Sequence, residues 1–323
     1  MPCVDIPGWH LQTQVMPHSF PAKVSFVIPV FNKADILPRV VTALGGQTVA
    51  DECEFIFVDD ASTDGSLDVL RHLAGGLGRC TIIENPGNAG PAIRLNQGAA
   101  VARGEMLALI DADVLIVPDA VARMRALMVE QRVSMVHGRT VAQPDTAVPV
   151  PLGRPLDCSV SDAPLAMVLR GGMVRMGWLV ETALFRAAGG CDERVFIQDE
   201  SLPLRLAVRA ERLARVGDVI AHAPPAAFHL SSDRRQQHHD RFFAHYNLLR
   251  DHPELPFALR RKLVGRCLSA AWKAVRCNAL DAGRGATLAL YGLAKAGLLA
   301  DTALALDRLA EGFRRMEGIR RRG

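Results

Sequence analysis

The chain begins with two alternating hydrophobic rhythms. The runs "KVSFVIPVF", "CEFIFVDD", "RCTIIEN" and "EMLALIDAD" are continuously apolar over the length of a strand and rich in β-branched and aromatic residues, which predicts buried strands. Between them, apolar residues recur every three or four positions. In "KADILPRVVTALGGQ" these are Ile36, Val40, Val41 and Leu44, and Gly45-Gly46 ends the helix. "SLDVLRHLAGG" reads as a helix with Ser66 placed to cap it, and "NAGPAIRLNQGAAVARG" as another with Asn88 as its cap. "PDAVARMRALMVEQ" is a further helix, with Pro118 near its first turn. Strand and helix in alternation predict an α/β fold with a mainly parallel sheet covered on both faces.

The rhythm breaks near residue 140. "TVAQPDTAVPVPLGRPLDCSVSDAPLA" is rich in Pro and polar residues and reads as loop. "GGMVRMGWLVETALFRAAGG" predicts a strand and a helix returning to the sheet, and "DESLPLRLAVRAERL" a helix with Leu204, Ala207 and Val208 on one side. From Phe257 to Val275 an apolar stripe (Leu259, Leu263, Val264, Cys267, Leu268, Ala271, Trp272, Val275) faces away from Arg260, Arg261, Lys262, Arg266, Lys273 and Arg276. The later "GATLALYGLAKAGLLADTALAL" is interrupted by Lys295 and Asp301, short of the ~20 clean apolar residues of a spanning helix.

Composition adds three points. Hydrophobic residues are 49% of the 323, enough for a large core. The seven cysteines lie apart with no CxxC pair, which predicts reduced thiols in a cytosolic protein. Residues 256–323 hold fourteen Lys/Arg against five Asp/Glu, a net +9, so the other 255 residues carry −5 within the overall +4. The expected organisation is an N-terminal arm over 1–22, with no signal-peptide pattern, a catalytic domain over 23–252, and a basic amphipathic helical region over 253–323. That last region invites peripheral membrane attachment through 257–276 or packing on the catalytic domain or on the second subunit of a homodimer. No nucleic-acid partner is expected, because the basic residues lack interleaved aromatics.

The candidate chemistry sits at strand ends, where parallel α/β sheets bind ligands. Asn32 ends the first strand, Asp59-Asp60 the second, and Asp111 with Asp113 the fourth. Two carboxylates one residue apart at a strand end suit a hard divalent cation, Mn²⁺ or Mg²⁺, that also holds a diphosphate. By themselves they read equally as a loop acid and a helix cap before Pro118. Of Asp59 and Asp60, one reads as structural and the other as a hydrogen-bond acceptor for a base or ribose. No GxGxxG follows a strand, which disfavours a dehydrogenase. "IPVFNKADI" lacks the Gly-rich phosphate loop expected of a nucleotidyltransferase, the first alternative function.

"SFVIPVFN", "FVDDASTDGS", the "NAGPAIRLNQGAAVARG" spacing and "LIDAD", in this order, resemble the family 2 glycosyltransferases and their GT-A fold. The likeness spans Val24 to Val114 and extends more weakly through "LFRAAGGCDERVFIQDESLPLRL" to "HDRFFAHYNLLRDHP". It implies an inverting transfer of sugar from a nucleotide-diphosphate donor to the hydroxyl of a carbohydrate, lipid-linked or other acceptor, in cell-surface polysaccharide or glycoconjugate synthesis. The implied location is cytoplasmic, or peripheral on the inner face of the membrane. Pro29, Val30, Phe31 and Asn32 would lie against the nucleotide base and Asp60 would bind it. Asn88, Gly90, Asp111 and Ala112 would complete the nucleotide site, and Arg94, flanking the donor region, reads as a phosphate contact or as a helix-surface arginine. Asp111 and Asp113 would hold the metal, joined by a late histidine, His229.

The family's downstream acidic pair aligns its catalytic base with Asp199 in "IQDESLPLR", with Glu200 as competing candidate on the acceptor side. Trp178 reads as a sugar platform there or as core. His238-His239 lies in a polar run that reads as a solvated face. The family's usual acid after the first Asn is Lys33 here, its usual Phe is Cys191, and the first acid of the late pair is Gln198. No QxxRW signature is present, which argues against a processive synthase. A non-catalytic nucleotide-sugar-binding protein is the second alternative.

Overall fold

A computed structural model describes residues 10–12, 22–142, 149–171, 173, 176–223, 233–277, 279–280, 283–296 and 303–320. The chain folds as two compact units. The first comprises residues 1–164, 175–190 and 209–225; the second comprises 165–174, 191–208 and 226–323.

The first unit is built on a ten-stranded sheet. Its parallel centre is β2 (Val24–Val30), β3 (Cys53–Asp59), β4 (Cys80–Glu84) and β5 (Met106–Leu109). All seven residues of β3 are buried, and all of β2 but the half-buried Pro29, as expected of strands covered on both faces. The helices α1 (Leu37–Gly45), α2 (Ser66–Leu73) and α3 (Pro91–Val101) alternate with these strands, and α4 (Ala120–Gln131) follows later in the chain, as its pattern predicts. Gly98 of α3 lets that helix lie close on the sheet: an added Cβ would come within 2.5 Å of Val27 and 3.0 Å of Val58.

The sheet continues past β5 through β9 (Trp178–Glu181), β7 (Met135–Ala142), β10 (Leu213–Ala223) and β6 (Leu115–Ile116), with β8 (Cys158–Ser161) also paired to β10. β9 runs antiparallel to both neighbours. It and α6 (Thr182–Ala187) return to the sheet as the pattern predicts. At the other edge, β1 (His10–Gln12), from the expected arm, pairs antiparallel with β4. Four further strands depart from the expected loop or go unforeseen: β6, β7, β8 within the Pro-rich segment, and β10, whose pairing with β7 shifts register between Arg215 and Val219.

Two caps also differ. Ser66 is the first residue of α2, behind Gly65, and Gly90, not Asn88, precedes α3. In both helices the cap position is a glycine at positive φ, +87° and +90°, where no side chain is available to accept the orphan amides.

The second unit is helical: α5 (Pro164–Arg170), α7 (Gln198–Arg209), α8 (Arg234–Asp251), α9 (Phe257–Arg276), α10 (Arg284–Ala296) and α11 (Ala303–Arg314). The compact unit therefore begins well before the boundary expected at 253. Its core is aromatic, with Phe242 of α8 stacked on Phe313 of α11 at 4.4 Å between centroids and in contact with Phe243 and Tyr246. The stripe of α9 is spent there: Leu263, Cys267, Leu268, Ala271 and Val275 belong to that same core. Among the described residues, no helix is long and apolar enough to cross a membrane.

His238 and His239 are a correction to the solvated face expected of "RRQQHHDR": both are buried. Burial, aided by Arg241, Lys273 and Arg234, pushes the His238 imidazole down to about 4. Burial likewise takes His245 down to about 4, although its Nδ1 donates to the Arg241 carbonyl at 2.7 Å. Both rings are therefore neutral in the fold over a range in which the unfolded chain, with its ordinary value of 6.5, takes up protons. Stability should be full above about pH 6.5 and fall as the pH drops toward about 4. A series of melting temperatures across that range checks it, and His238→Gln with His245→Gln should flatten the slope.

Candidate functional site

In the first unit the carboxyl ends of three adjacent parallel strands lie side by side. The register pairs Val30 of β2 with Asp59 of β3, and Val27 of β2 with Leu109 at the end of β5. Asn32, Asp59-Asp60 and the turn Asp111–Val114 therefore emerge along one edge.

Each emerging segment is held by its neighbours. Asn32 has φ +52°, a left-handed conformation that asparagine tolerates better than most residues. Its N–H donates to Ser62 Oγ (3.0 Å), and its Oδ1 accepts from Thr63 N (2.8 Å). Lys33 N donates to Ser66 Oγ (2.7 Å), and Ala34 N to Asp64 Oδ2 (2.9 Å). Burial opposes ionisation of Asp64, but hydrogen bonds from Ser66 and Ala34 outweigh it and lower its carboxyl. Phe31, beside Asn32, is an exposed aromatic, whereas Val30 is fully buried.

Asp59 and Asp60 divide their work in a way the sequence left open. Asp60 Oδ1 accepts from Ala89 N and Arg94 Nε, both at 2.7 Å, and Oδ2 from Gly90 N at 2.9 Å. Gly90, at φ +90° and ψ 160°, occupies a backbone region essentially reserved for glycine, so this close amide approach depends on it. Arg94 is buried and continues to Gln97 Oε1 (3.1 Å) and the Gly87 carbonyl (2.5 Å). This corrects the expectation for Arg94: its guanidinium is a strut under the turn and is not presented to a phosphate. Asn88 is exposed on that turn, its amide donating to the Asp60 carbonyl (3.3 Å). Asp59 is also buried, and its carboxyl is raised by desolvation.

On the turn after β5, Val114 N donates to the Asp111 carbonyl (3.2 Å) and the Ala112 side chain is buried. Asp111 and Asp113 are both half-buried. Asp113 Oδ2 already holds a cation: the Lys33 ammonium, 2.5 Å away. Two carboxylates on one turn, one of them engaged with positive charge, fit a hard divalent ion completed by a diphosphate. Among the described residues no group of three or more His, Cys, Asp or Glu gathers as a metal site. His229 lies outside the described residues.

Trp178 is core, the second of its two expected readings. It is 1% exposed and packs on His137 at 4.4 Å between ring centroids, so it offers no face to a sugar.

In the second unit, Asp199 is half-buried in the first turn of α7, between buried Gln198 and Glu200. Glu200, the competing candidate, is already ion-paired: Arg241 of α8 takes both its carboxylate oxygens (2.9 and 2.6 Å). Next to Arg241, fully buried Asp240 accepts Ile197 N (2.8 Å), His239 Nδ1 (2.7 Å) and Gln236 Nε2 (3.0 Å). Consecutive residues of α8 thus grip the chain on both sides of Asp199. Sequence reasoning alone missed Asp240 and Arg241. The signal available was a charged pair directly before the apolar "FF".

The comparisons with known proteins bear on the first unit most directly. The model of glycosyl transferase family 2 matches residues 25–159, from β2 into β8. Residues 25–159 are a family 2 glycosyltransferase domain. Among family 2 relatives, a poly(ribitol-phosphate) beta-glucosyltransferase of Bacillus spizizenii is 34% identical over 119 residues, 36% of this chain and 19% of that protein. The chain thus matches only a fraction of that relative's length. A fragment of S. aureus TarS spanning residues 1–349, solved in complex with UDP-GlcNAc, superposes with a TM-score of 0.67 at 16% identity, over 91% of this chain and 92% of that one. A mannosyltransferase of Pyrobaculum calidifontis, in complex with GDP-Man and Mn²⁺, gives 0.57 at 19% identity, over 93% and 89%. These likenesses establish the GT-A fold around the family 2 domain.

The Glu200–Arg241 pair gives a test of the helical frame. Arg241→Met leaves a buried carboxylate unpaired and should cost about 3 kcal/mol, read by denaturant unfolding. Glu200→Met in the same chain should restore most of the loss.

Proposed function

We propose that the chain is an inverting glycosyltransferase that moves a sugar from a nucleotide-diphosphate donor to an acceptor hydroxyl in polysaccharide or glycoconjugate synthesis. The observation that carries the reading is the alignment of three parallel strand ends, with Asn32, Asp59-Asp60 and Asp111/Asp113 along one edge. The relatives support it: one is a poly(ribitol-phosphate) glucosyltransferase, and structural neighbours are complexed with UDP-GlcNAc or with GDP-Man and Mn²⁺.

In this reading Pro29–Asn32, with exposed Phe31, and the Asn88–Gly90 turn organised by Asp60 receive the nucleotide. Asp111 and Asp113 would hold Mn²⁺ or Mg²⁺. The chemistry supplied by the bound cation is neutralisation of the leaving group's charge. Asp199 takes the proton of the acceptor hydroxyl. The acceptor oxygen bonds to the anomeric carbon as the bond to the diphosphate oxygen breaks on the opposite face, so configuration inverts and nucleoside diphosphate leaves. The N-terminus of α7 favours a negative charge at Asp199, and the grip of Asp240 and Arg241 fixes its backbone. The exposed Arg261, Lys262, Lys273 and Arg276 of α9 would hold the protein electrostatically at an anionic membrane surface, without insertion of the stripe already spent in the core.

Thermal shift across nucleotide-sugars with Mn²⁺ tests the donor assignment, because the true donor should raise the melting temperature by mass action. Asp113→Ala should abolish that metal-dependent shift while the fold survives; an unchanged Mn²⁺-dependent shift in this variant contradicts the metal assignment. Asp199→Asn should lower turnover by ~10²–10⁴ with donor binding nearly unchanged. Loss of transfer in Glu200→Gln, with Asp199→Asn still active, would move the base to Glu200.

A further inference from the structure

The loop after β2 carries a lysine that the proposed chemistry does not use. Lys33 Nζ and Asp113 Oδ2 are 2.5 Å apart, joining segments 80 residues apart in sequence. Ordinary surface ion pairs join two mobile side chains and contribute little. This one differs in two respects. Both side chains are largely shielded, at 23% and 18% exposed. The backbone of Lys33 is also fixed: its N–H is bound by Ser66, its carbonyl accepts from Ile36 and Leu37 N at 3.1 and 3.0 Å, and Asn32 and Ala34 on either side are tied to the 62–64 loop. Only the four-carbon stem and its ammonium are left able to move.

We propose that Lys33 competes with the divalent cation for Asp113 and, once displaced, passes its charge to the donor diphosphate; this rests on the metal reading given above. Lys33 occupies Asp113 Oδ2, and an ammonium and a divalent ion drawn to one carboxylate repel each other across a few ångströms, so metal entry works against the Lys33–Asp113 pair. The detached ammonium, rooted beside the same site, finds its nearest compensating anion in a diphosphate bound there. Metal and nucleotide would then favour each other's binding reciprocally, because the diphosphate gives Lys33 the partner that the metal takes away. The site would stay charge-compensated when empty and commit to metal mainly when donor is present.

The test is Mn²⁺ binding without nucleotide, followed by the electron paramagnetic resonance signal of unbound Mn²⁺, for the full chain and for Lys33→Met, Lys33→Arg and Asp113→Ala. Lys33→Met should bind Mn²⁺ about five-fold more tightly, and Lys33→Arg close to the parent, since the competing charge is kept. Asp113→Ala should lose the site. A second titration, with UDP and GDP in the presence of a chelator, should show Lys33→Met binding nucleotide more weakly than the parent. Unchanged or weaker Mn²⁺ binding by Lys33→Met, alongside loss in Asp113→Ala, overturns the competition and leaves the metal reading standing. Full Mn²⁺ binding by Asp113→Ala overturns both.

Discussion

A parallel sheet covered on both faces has almost nowhere to keep a carboxylate except at the ends of its strands. Every residue of β3 and nearly every residue of β2 is buried, so a carboxylate within them needs its own donors: Glu54, one residue from the amino end of β3, accepts from Ser25 Oγ and Arg103 N, both at 2.6 Å. Asp59, at the last position of β3, already shows the pressure: burial raises its carboxyl despite hydrogen bonds from Ser62. Because β3, β2 and β5 run parallel in register, the permitted positions coincide at one edge. The collection of Asn32, Asp60 and Asp113 there follows from the burial of everything upstream. The loops between these ends then brace one another, Asn32 to Thr63, Ala34 to Asp64, Asp60 to Gly90 and Lys33 to Asp113, without help from a long helix or a disulfide.

The helical unit solves a similar problem from the opposite direction. Among the described residues, its core holds charge in satisfied sets: Asp240 with three donors, Glu200 with a two-pronged arginine, and Asp192 with Arg194 and Asn247. Such sets are costly to break and set geometry more than they add stability. What they fix here is the chain around Ile197–Glu200, the segment to which the resemblance assigns the catalytic base.

The parallel half of the sheet was legible because its strands are buried on both faces and read as unbroken apolar runs. β10 was not, because "LARVGDVIAHA" lies partly exposed, with a register shift at Gly217-Asp218 where Asp218 accepts Asp157 N, and its mixed polarity looks like loop. "RRQQHHDR" misled for a related reason: periodicity counts polar residues as solvent-facing, while Gln236, His239 and Asp240 satisfy one another inside the core. The acids of the candidate site were visible as residue types at strand ends. Their allegiances were not, since only the folded loops show that Arg94 props up Asp60, that Arg241 takes Glu200, and that Lys33 reaches Asp113. Trp178 looked the same as a platform or as core until β9 was placed between β5 and β7.

If the strand-end edge is a cation and diphosphate site, anomalous diffraction from crystals grown with Mn²⁺ and a nucleoside diphosphate should reveal it. A manganese peak is expected about 2 Å from an Asp113 carboxylate oxygen, bridged to the diphosphate, with the Lys33 ammonium moved off Asp113. A nucleotide bound elsewhere, or bound at this edge with the Lys33–Asp113 pair intact and no manganese beside it, would contradict that assignment.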